Sequence, residues 1–394
     1  VELNPFSHEF HEDPYPTYRW LRDQAPLYHN PELGFFALSR YRDVLAASLD
    51  WQTYSSAEGT TLERIDPRLF ETRPMIIFLD PPRHDLLRKL VSRAFTPRRV
   101  AALEPFVRQT VSDLLDRCVR EGGGDFVHDV SMPLPMAVIF TLLGVPEADR
   151  RQLREWMDVS LDRDRDTPVI PERAIVAMAS MLRYWIEFVE GLRAAPNDGL
   201  VAALLDAEVE GDDGRPARLT DGEIVGFCNL LGAAGNETVT KLLANACVLF
   251  ARHPDAYRRL CADPGTIPDA VEEVLRYTSP SQYQGRVTTR DVEWHGRTVP
   301  AGARILLLTG SANRDEREFP DPDRFDPARR PEQHLALGHG VHFCVGASLA
   351  RLESRVALEE FARRVPRYTV DEARCVRVHM SNVHGYEHVP FAMA

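Results

Sequence analysis

Six cysteines are scattered along the 394-residue chain, and one of them, Cys344, has neighbours suited to chemistry. It lies in Leu337-Gly338-His339-Gly340-Val341-His342-Phe343-Cys344-Val345-Gly346, between glycine-rich turns and the start of a helix at Ala347. The positive end of that helix and nearby backbone N–H groups stabilise a negative sulfur. The glycines accept positive φ and let the backbone lie close to a flat cofactor. Taken alone, a lone cysteine more often behaves as a small apolar core residue.

Three further constellations stand elsewhere. Ala234-Gly235-Asn236-Glu237-Thr238 puts an acid and an alcohol beside small residues in an apolar helical stretch, where buried polar groups need partners or a function. The bland alternatives are a Thr238 hydroxyl bonded to a carbonyl one turn earlier and a paired or solvated Glu237. In Asp80-Pro81-Pro82-Arg83-His84-Asp85-Leu86-Leu87-Arg88, His84 and Arg88 are four apart and share a helical face. Two such donors suit a carboxylate, and a plain surface pair is the alternative. Glu273 and Arg276 also share a face, although such pairs are common and individually worth only about 0.2–0.5 kcal/mol.

The cysteine segment resembles the haem-binding signature of the cytochrome P450 family at every fixed position but the first, where Leu337 stands in place of the usual Phe. Read with it, the other constellations resemble that family's motifs in the family's order, across about the last four-fifths of the chain. The resemblance implies that Cys344 is the axial ligand of a haem iron and that haem b is the cofactor. It implies that His84, Arg88, Arg286 and His342 hold the propionates, and that Glu237 and Thr238 handle protons during oxygen activation. Asn236 stands where many members have His and is given no relay role. Glu273 and Arg276 correspond to the family's E-x-x-R, with Arg324 of Pro322-Asp323-Arg324-Phe325 as its meander partner; this trio is structural. The implied activity is insertion of one oxygen atom from O2 into a C–H bond of a mid-sized lipophilic substrate such as a steroid, terpenoid or polyketide. The pocket is expected from the Thr60–Phe78 loop, Leu230, Ala233 and Ala234, Ser281–Gln284 with its hydrogen-bonding Gln282, Tyr283 and Gln284, and the turn near Val383. No flavin or dinucleotide fingerprint is present, so electrons are expected from a ferredoxin and ferredoxin reductase. Lys89, Arg93, Arg98, Arg99, Arg351 and Arg355 offer a basic docking face, with a solvated charge cluster as the equal alternative. A peroxygenase of the same fold and a non-catalytic haem-thiolate sensor are the competing readings; the acid–alcohol pair argues against both.

These residues need elements to position them, and most of the chain reads as helix. Helical patterns run over Asp13–Gln24, His84–Ala94, Val100–Glu121, Pro133–Leu143, Ala148–Leu161, Glu172–Ala194 and Ala347–Arg364. Thr220-Asp221-Gly222-Glu223 has capping-box spacing and opens a helix continuing to Arg252, on the order of 48 Å long. A Gly/Asp-rich hairpin precedes it at Glu210 to Pro216, a further helix follows Pro268, and strands are expected at Leu33–Ser39 and in Arg286–Val299. Ala312–Arg330, rich in Pro and Asp, reads as an ordered meander. The fold class is therefore mainly α with a small β portion, and the resemblance makes it the P450 fold with the long central helix over the haem. No linker divides the chain, which is expected to be a single domain over 1–394.

Composition narrows the partners. A formal net charge of -12 argues against nucleic acid, whose phosphates want a basic surface. No C-x-x-C pair occurs, which removes the usual zinc and redox-pair spacings. Val1 to Tyr15 has no apolar run for a signal peptide or membrane anchor, so a cytoplasmic protein, expected to be monomeric, is the reading.

Overall fold

The computed structural model describes residues 1–63, 72–161, 164, 169–210, 214–331, 333–380 and 382–394, with the side chains of 93, 94, 161 and 233 set aside. The helix Asp221–Arg252 is its axis. The capping box at its start forms as the sequence predicts: the Thr220 hydroxyl accepts from the Glu223 N–H at 3.3 Å, and Glu223 takes the Thr220 N–H at 2.8 Å. Glu223 also pairs with Arg83, so the start of the central helix is tied to the helix Arg83–Ala94. A Cβ on Gly226 would stand 2.4 Å from the Pro74 carbonyl oxygen, so only glycine lets the 73–75 segment lie this close to the helix.

Around this axis pack Pro133–Leu143, Glu172–Ala194 and Ala347–Arg364. Pro133–Leu143 is apolar nearly all round and buries Leu134, Met136, Val138, Ile139, Phe140 and Leu143, as a helix enclosed by others should. The pattern expected as one helix over Val100–Glu121 is two, Pro97–Ala102 and Glu104–Glu121, because Pro105 suits a first turn and not a helix interior. Two boundaries shift by a residue, to Arg83–Ala94 and Glu147–Leu161, while Pro133–Leu143, Glu172–Ala194 and Ala347–Arg364 stand as predicted. The hairpin before the central helix pairs Val209–Glu210 with Pro216–Ala217.

The β portion is small. Its main sheet has the order Leu27–Asn30, Phe35–Leu38, Arg304–Leu307, Gln284–Thr288, Tyr54–Ser55, antiparallel throughout except the parallel pair Phe35–Leu38 with Arg304–Leu307. A second sheet joins Tyr368–Val370, Pro390–Met393 and Gly123–Asp125, so the last strand of the chain pairs with one more than 260 residues earlier. No helix among the described residues is long and apolar enough to cross a membrane.

Candidate active site

The central helix, the cysteine segment and one end of the main sheet enclose a cavity that leaves about 270 Å³ for the centres of water-sized molecules. Cys344 lines it, alone among the six cysteines. Its loop is drawn into a tight coil by Gly338 N–H to Leu335 O at 3.0 Å, Phe343 N–H to Gly340 O at 3.1 Å and Cys344 N–H to Leu337 O at 2.8 Å. Gly340 is indispensable to that coil, since its φ is +68° and a Cβ there would stand 2.7 Å from the Ser48 carbonyl oxygen. Burial pushes the Cys344 thiol up, while the Gly346 N–H and the guanidinium groups of Arg88 and Arg351 pull the other way. The sulfur is thus enclosed yet faced by positive groups that favour a thiolate.

Leu337, in the position where the family has Phe, lines the same cavity and supplies the carbonyl that accepts from the Cys344 N–H. That bond uses only backbone, so the aliphatic side chain leaves the loop's coil intact.

Two arginines and two histidines line the same cavity. His84, Arg88, Arg286 and His342 all line the cavity, and the His84 and His342 rings lie 4.6 Å apart. His342 Nε2 is 3.1 Å from the Ser56 hydroxyl. Burial, together with Arg286, His84 and Arg88, takes His342 down to about 3, so its ring is neutral here. Arg286 is buried and among the described residues donates only to the Gly285 carbonyl; burial lowers it to about 10. Neither Arg88 nor Arg286 has a carboxylate partner among the described residues. A buried guanidinium left so, as Arg286 is, is costly, and a bound dianion would satisfy both it and the half-buried Arg88.

The acid–alcohol pair divides. Thr238 lines the cavity, with its hydroxyl donating to the Ala234 carbonyl at 3.0 Å. Glu237 does not line it. Its carboxylate is buried 3.1 Å from the Lys241 ammonium, one turn along the same helix. The pair is therefore one group on the cavity and one held behind it by a lysine that the sequence reading did not single out. The i,i+4 spacing of Glu237 and Lys241 was the available signal.

The expected structural trio needs correction. Glu273 and Arg276 are fully buried and joined by two bonds of 2.7 and 2.8 Å. The third member is Arg329, which reaches Glu273 at 3.2 Å and also donates to the carbonyls of Pro320, Asp321 and Arg324. Arg324 points outward to Asp326 with 67% of its side chain exposed. Two arginines five residues apart in one meander cannot be told apart by pattern, and the fold of the meander turns the later one inward.

Beside the trio, Glu272 takes Arg351 at 2.7 Å and His334 at 3.0 Å. These two partners flank the cysteine segment, so one carboxylate clamps it from both sides. Burial would raise Glu272, but the bonds from Arg351 and His334 outweigh it and bring it down to about 2. Arg351 is thus engaged structurally, and Arg355 pairs with Glu104 and Glu359. Both are engaged in ion pairs, as the charge-cluster alternative expects of them.

The pocket expectations are met unevenly. Ile76 and Ile77 line the cavity, although 64–71 of the Thr60–Phe78 loop falls outside the described residues. Leu230 and Ala234 line it, and the side chain of Ala233 falls outside the description. Ser281 and Gln284 line it, but Gln282 and Tyr283 turn into the core. Gln282 Nε2 donates to the carbonyls of Thr278 and Ser279 at 2.8 and 2.7 Å. Val383 bridges Ser281 through its backbone and is not part of the wall.

A family model described as Cytochrome P450 matches residues 266–371. A putative cytochrome P450 123 of Mycobacterium bovis is 44% identical over 393 residues, covering 99% of this chain and 96% of its own length. The chain belongs to the cytochrome P450 family. It is also 37% identical over 386 residues to the cytochrome P450 monooxygenase PikC of Streptomyces venezuelae, covering 94% of this chain and 88% of that protein. The structure of CYP109E1 from Bacillus megaterium in complex with corticosterone matches with a TM-score of 0.86 at 32% identity, over 98% of this chain and 99% of the other. The protein is a P450 monooxygenase, and the cavity's one cysteine and its unpaired guanidinium groups fit the haem that P450s carry.

Proposed function

We propose that this P450 inserts one oxygen atom from O2 into a C–H bond of a mid-sized lipophilic substrate of steroid, terpenoid or polyketide type. The observation that carries the reading is a mostly apolar cavity lined by both Cys344 and Thr238. Haem b, held without covalent thioether links, is the cofactor the residues suit: only one cysteine meets the cavity and no C-x-x-C-H run exists. Cys344 would ligate its iron, and His84, Arg88, Arg286 and His342 would hold its propionates. Bound, the haem supplies the iron chemistry of dioxygen activation, which a thiolate ligand favours by donating electron density.

The protein's own residues do the rest. Thr238 holds a hydroxyl at the cavity surface, where the carbonyl of Ala234 orients its proton. Glu237, buried behind it and paired with Lys241, would be the acid that passes protons along that helix. Ile76, Ile139, Leu230 and Val239 exclude water and take hydrocarbon. Electrons are assigned to a ferredoxin and its reductase, with the exposed Arg98 and Arg99 among the docking cations. The substrate class draws support from the corticosterone bound by the similar CYP109E1. The chain is taken to act as a single domain, monomeric and cytoplasmic.

Two measurements test this reading. The reduced, CO-bound protein should show the thiolate-type red-shifted Soret band, and a band without that shift removes Cys344 as ligand. A spectral screen of lipophiles should find steroid, terpenoid or macrolide ligands that displace the iron's water. Tight binding of long-chain fatty acids alone would overturn the substrate class.

A further inference from the structure

We propose that the Ser281 hydroxyl is a fixed hydrogen-bond donor that selects substrates carrying an acceptor oxygen, a carbonyl or ether, at this wall of the cavity. The inference rests on the monooxygenase reading above and adds the group that orients the substrate.

A serine hydroxyl has one hydrogen to donate and two lone pairs with which to accept. Ser281 Oγ already accepts twice, from Gln284 Nε2 at 2.8 Å and from Asn382 Nδ2 at 3.2 Å. The Asn382 amide cannot be turned round without loss, because the same nitrogen donates to the Tyr283 carbonyl at 2.9 Å. With the Gln284 amide in the orientation the structure gives it, both lone pairs are in use and the group left over is the hydroxyl hydrogen. It has no acceptor among the described residues.

The position is also held firmly. The Ser281 carbonyl takes the Thr309 hydroxyl at 2.8 Å, and its backbone bridges Val383. The next residue's N–H donates to the Asn382 carbonyl at 2.8 Å. Two distant chain segments therefore fix Ser281 before any ligand arrives, which reduces the entropy lost on binding. Ser281 borders the same cavity as Cys344 and Thr238, to which Ile139, Leu230 and Val239 offer only hydrocarbon.

A ligand that strips water from this hydrogen and offers nothing in return leaves a buried donor unmet. A ligand with a carbonyl there satisfies it. The discrimination should be about tenfold or more in affinity.

The test uses the haem-loaded protein and matched pairs: cyclododecanone against cyclododecane, and 5α-androstan-17-one against 5α-androstane. Affinity is read from the Soret shift that follows loss of the iron's water. The ketone should bind about tenfold or more tightly in at least one pair. Ser281→Ala and Ser281→Gly should each weaken the ketone and not the hydrocarbon, narrowing the gap to about twofold, whereas Gln284→Leu should retain it because the serine hydrogen remains. No ketone preference in either pair, or a preference that survives both Ser281 variants, overturns the proposal. A normal thiolate-type CO spectrum in wild type and variants keeps that failure separate from failure of the haem-thiolate reading, which would remove the band from the wild type itself.

Discussion

The buried trio behind the cysteine segment offers a decisive perturbation, Glu273→Gln. The change keeps the side chain's shape and removes its charge from a site where both partners are fully buried. Arg276 would lose its counter-ion while keeping its bonds to the carbonyls of Asn313 and Pro322. Breaking a buried pair from one side costs about 3–5 kcal/mol, because the remaining charge stays buried. With an unfolding entropy near 2.1 cal/mol/K per residue, a chain of this length has about 0.8 kcal/mol/K, so the melting temperature should fall by about 4–6 °C. The two arginines of the meander provide the internal control. Arg329→Ala removes bonds to Glu273 and to three carbonyls and should lower it by about 2–4 °C. Arg324→Ala removes an exposed pair and should move it by about 1 °C or less. Far-UV circular dichroism melts of the haem-loaded proteins, followed in parallel at the Soret band, measure all three. Equal shifts for the two arginine variants, or a Glu273→Gln protein that melts with the wild type, would refute the assignment of Arg329 and the burial argument together.

Other outcomes follow from single groups. Thr238→Ala should leave substrate binding intact and raise the ratio of NADH consumed to product formed by several-fold; unchanged coupling removes its role in proton handling. Glu353 is buried without a partner for one carboxylate oxygen, and burial raises it to about 8. Its raised value means that this group's contribution to stability is full below the unfolded value of 4.5 and is lost as pH rises towards 8. Glu353→Gln should therefore raise stability at pH 8 by on the order of 3–5 kcal/mol and flatten that slope, as denaturant melts at both ends of the range would show. Glu272 runs oppositely: its stabilising effect is full above 4.5 and disappears as pH falls towards 2, because Arg351 and His334 hold the charged form. Glu272→Gln should shift haem loss on acidification to higher pH; an unchanged acid midpoint would show that the clamp does not hold the cysteine segment.

The parts legible in the sequence were those with a local physical code. Helix limits such as Pro133–Leu143 and Ala347–Arg364, and the Thr220 capping box, follow from periodicity and capping chemistry within a few residues. Cys344 was legible because glycines and a helix start surround it. What escaped depends on contacts between distant segments. The strand Arg304–Leu307 is short and acquires its identity from Phe35–Leu38 and Gln284–Thr288 on either side, and Gly123–Asp125 is a strand only because Pro390–Met393 lies against it. Side-chain direction escaped for the same reason. Gln282 and Gln284, two residues apart, would share a face of an extended chain, yet Gln282 lies before the strand Gln284–Thr288 and is drawn into the core by the carbonyls of Thr278 and Ser279, while Gln284 lines the cavity.

The same logic explains why the substitution of Leu337 is tolerated while the charges around it are tightly arranged. The cysteine coil is made by backbone bonds and by Gly338 and Gly340, which a change of side chain at position 337 does not touch. Its placement relative to the rest of the protein is fixed instead by ions in the helix Ile267–Thr278. Glu272 grips His334 and Arg351 on either side of the loop, and Glu273 with Arg276 and Arg329 fixes the meander that leads into it. Adjacent glutamates on one helix thus divide the work, one holding the loop and the other its approach. Because the two glutamates are neighbours and hold one continuous stretch of chain, losing one should displace the sulfur and load the other, so the double substitution at 272 and 273 ought to perturb haem binding by an amount that departs from the sum of the single ones.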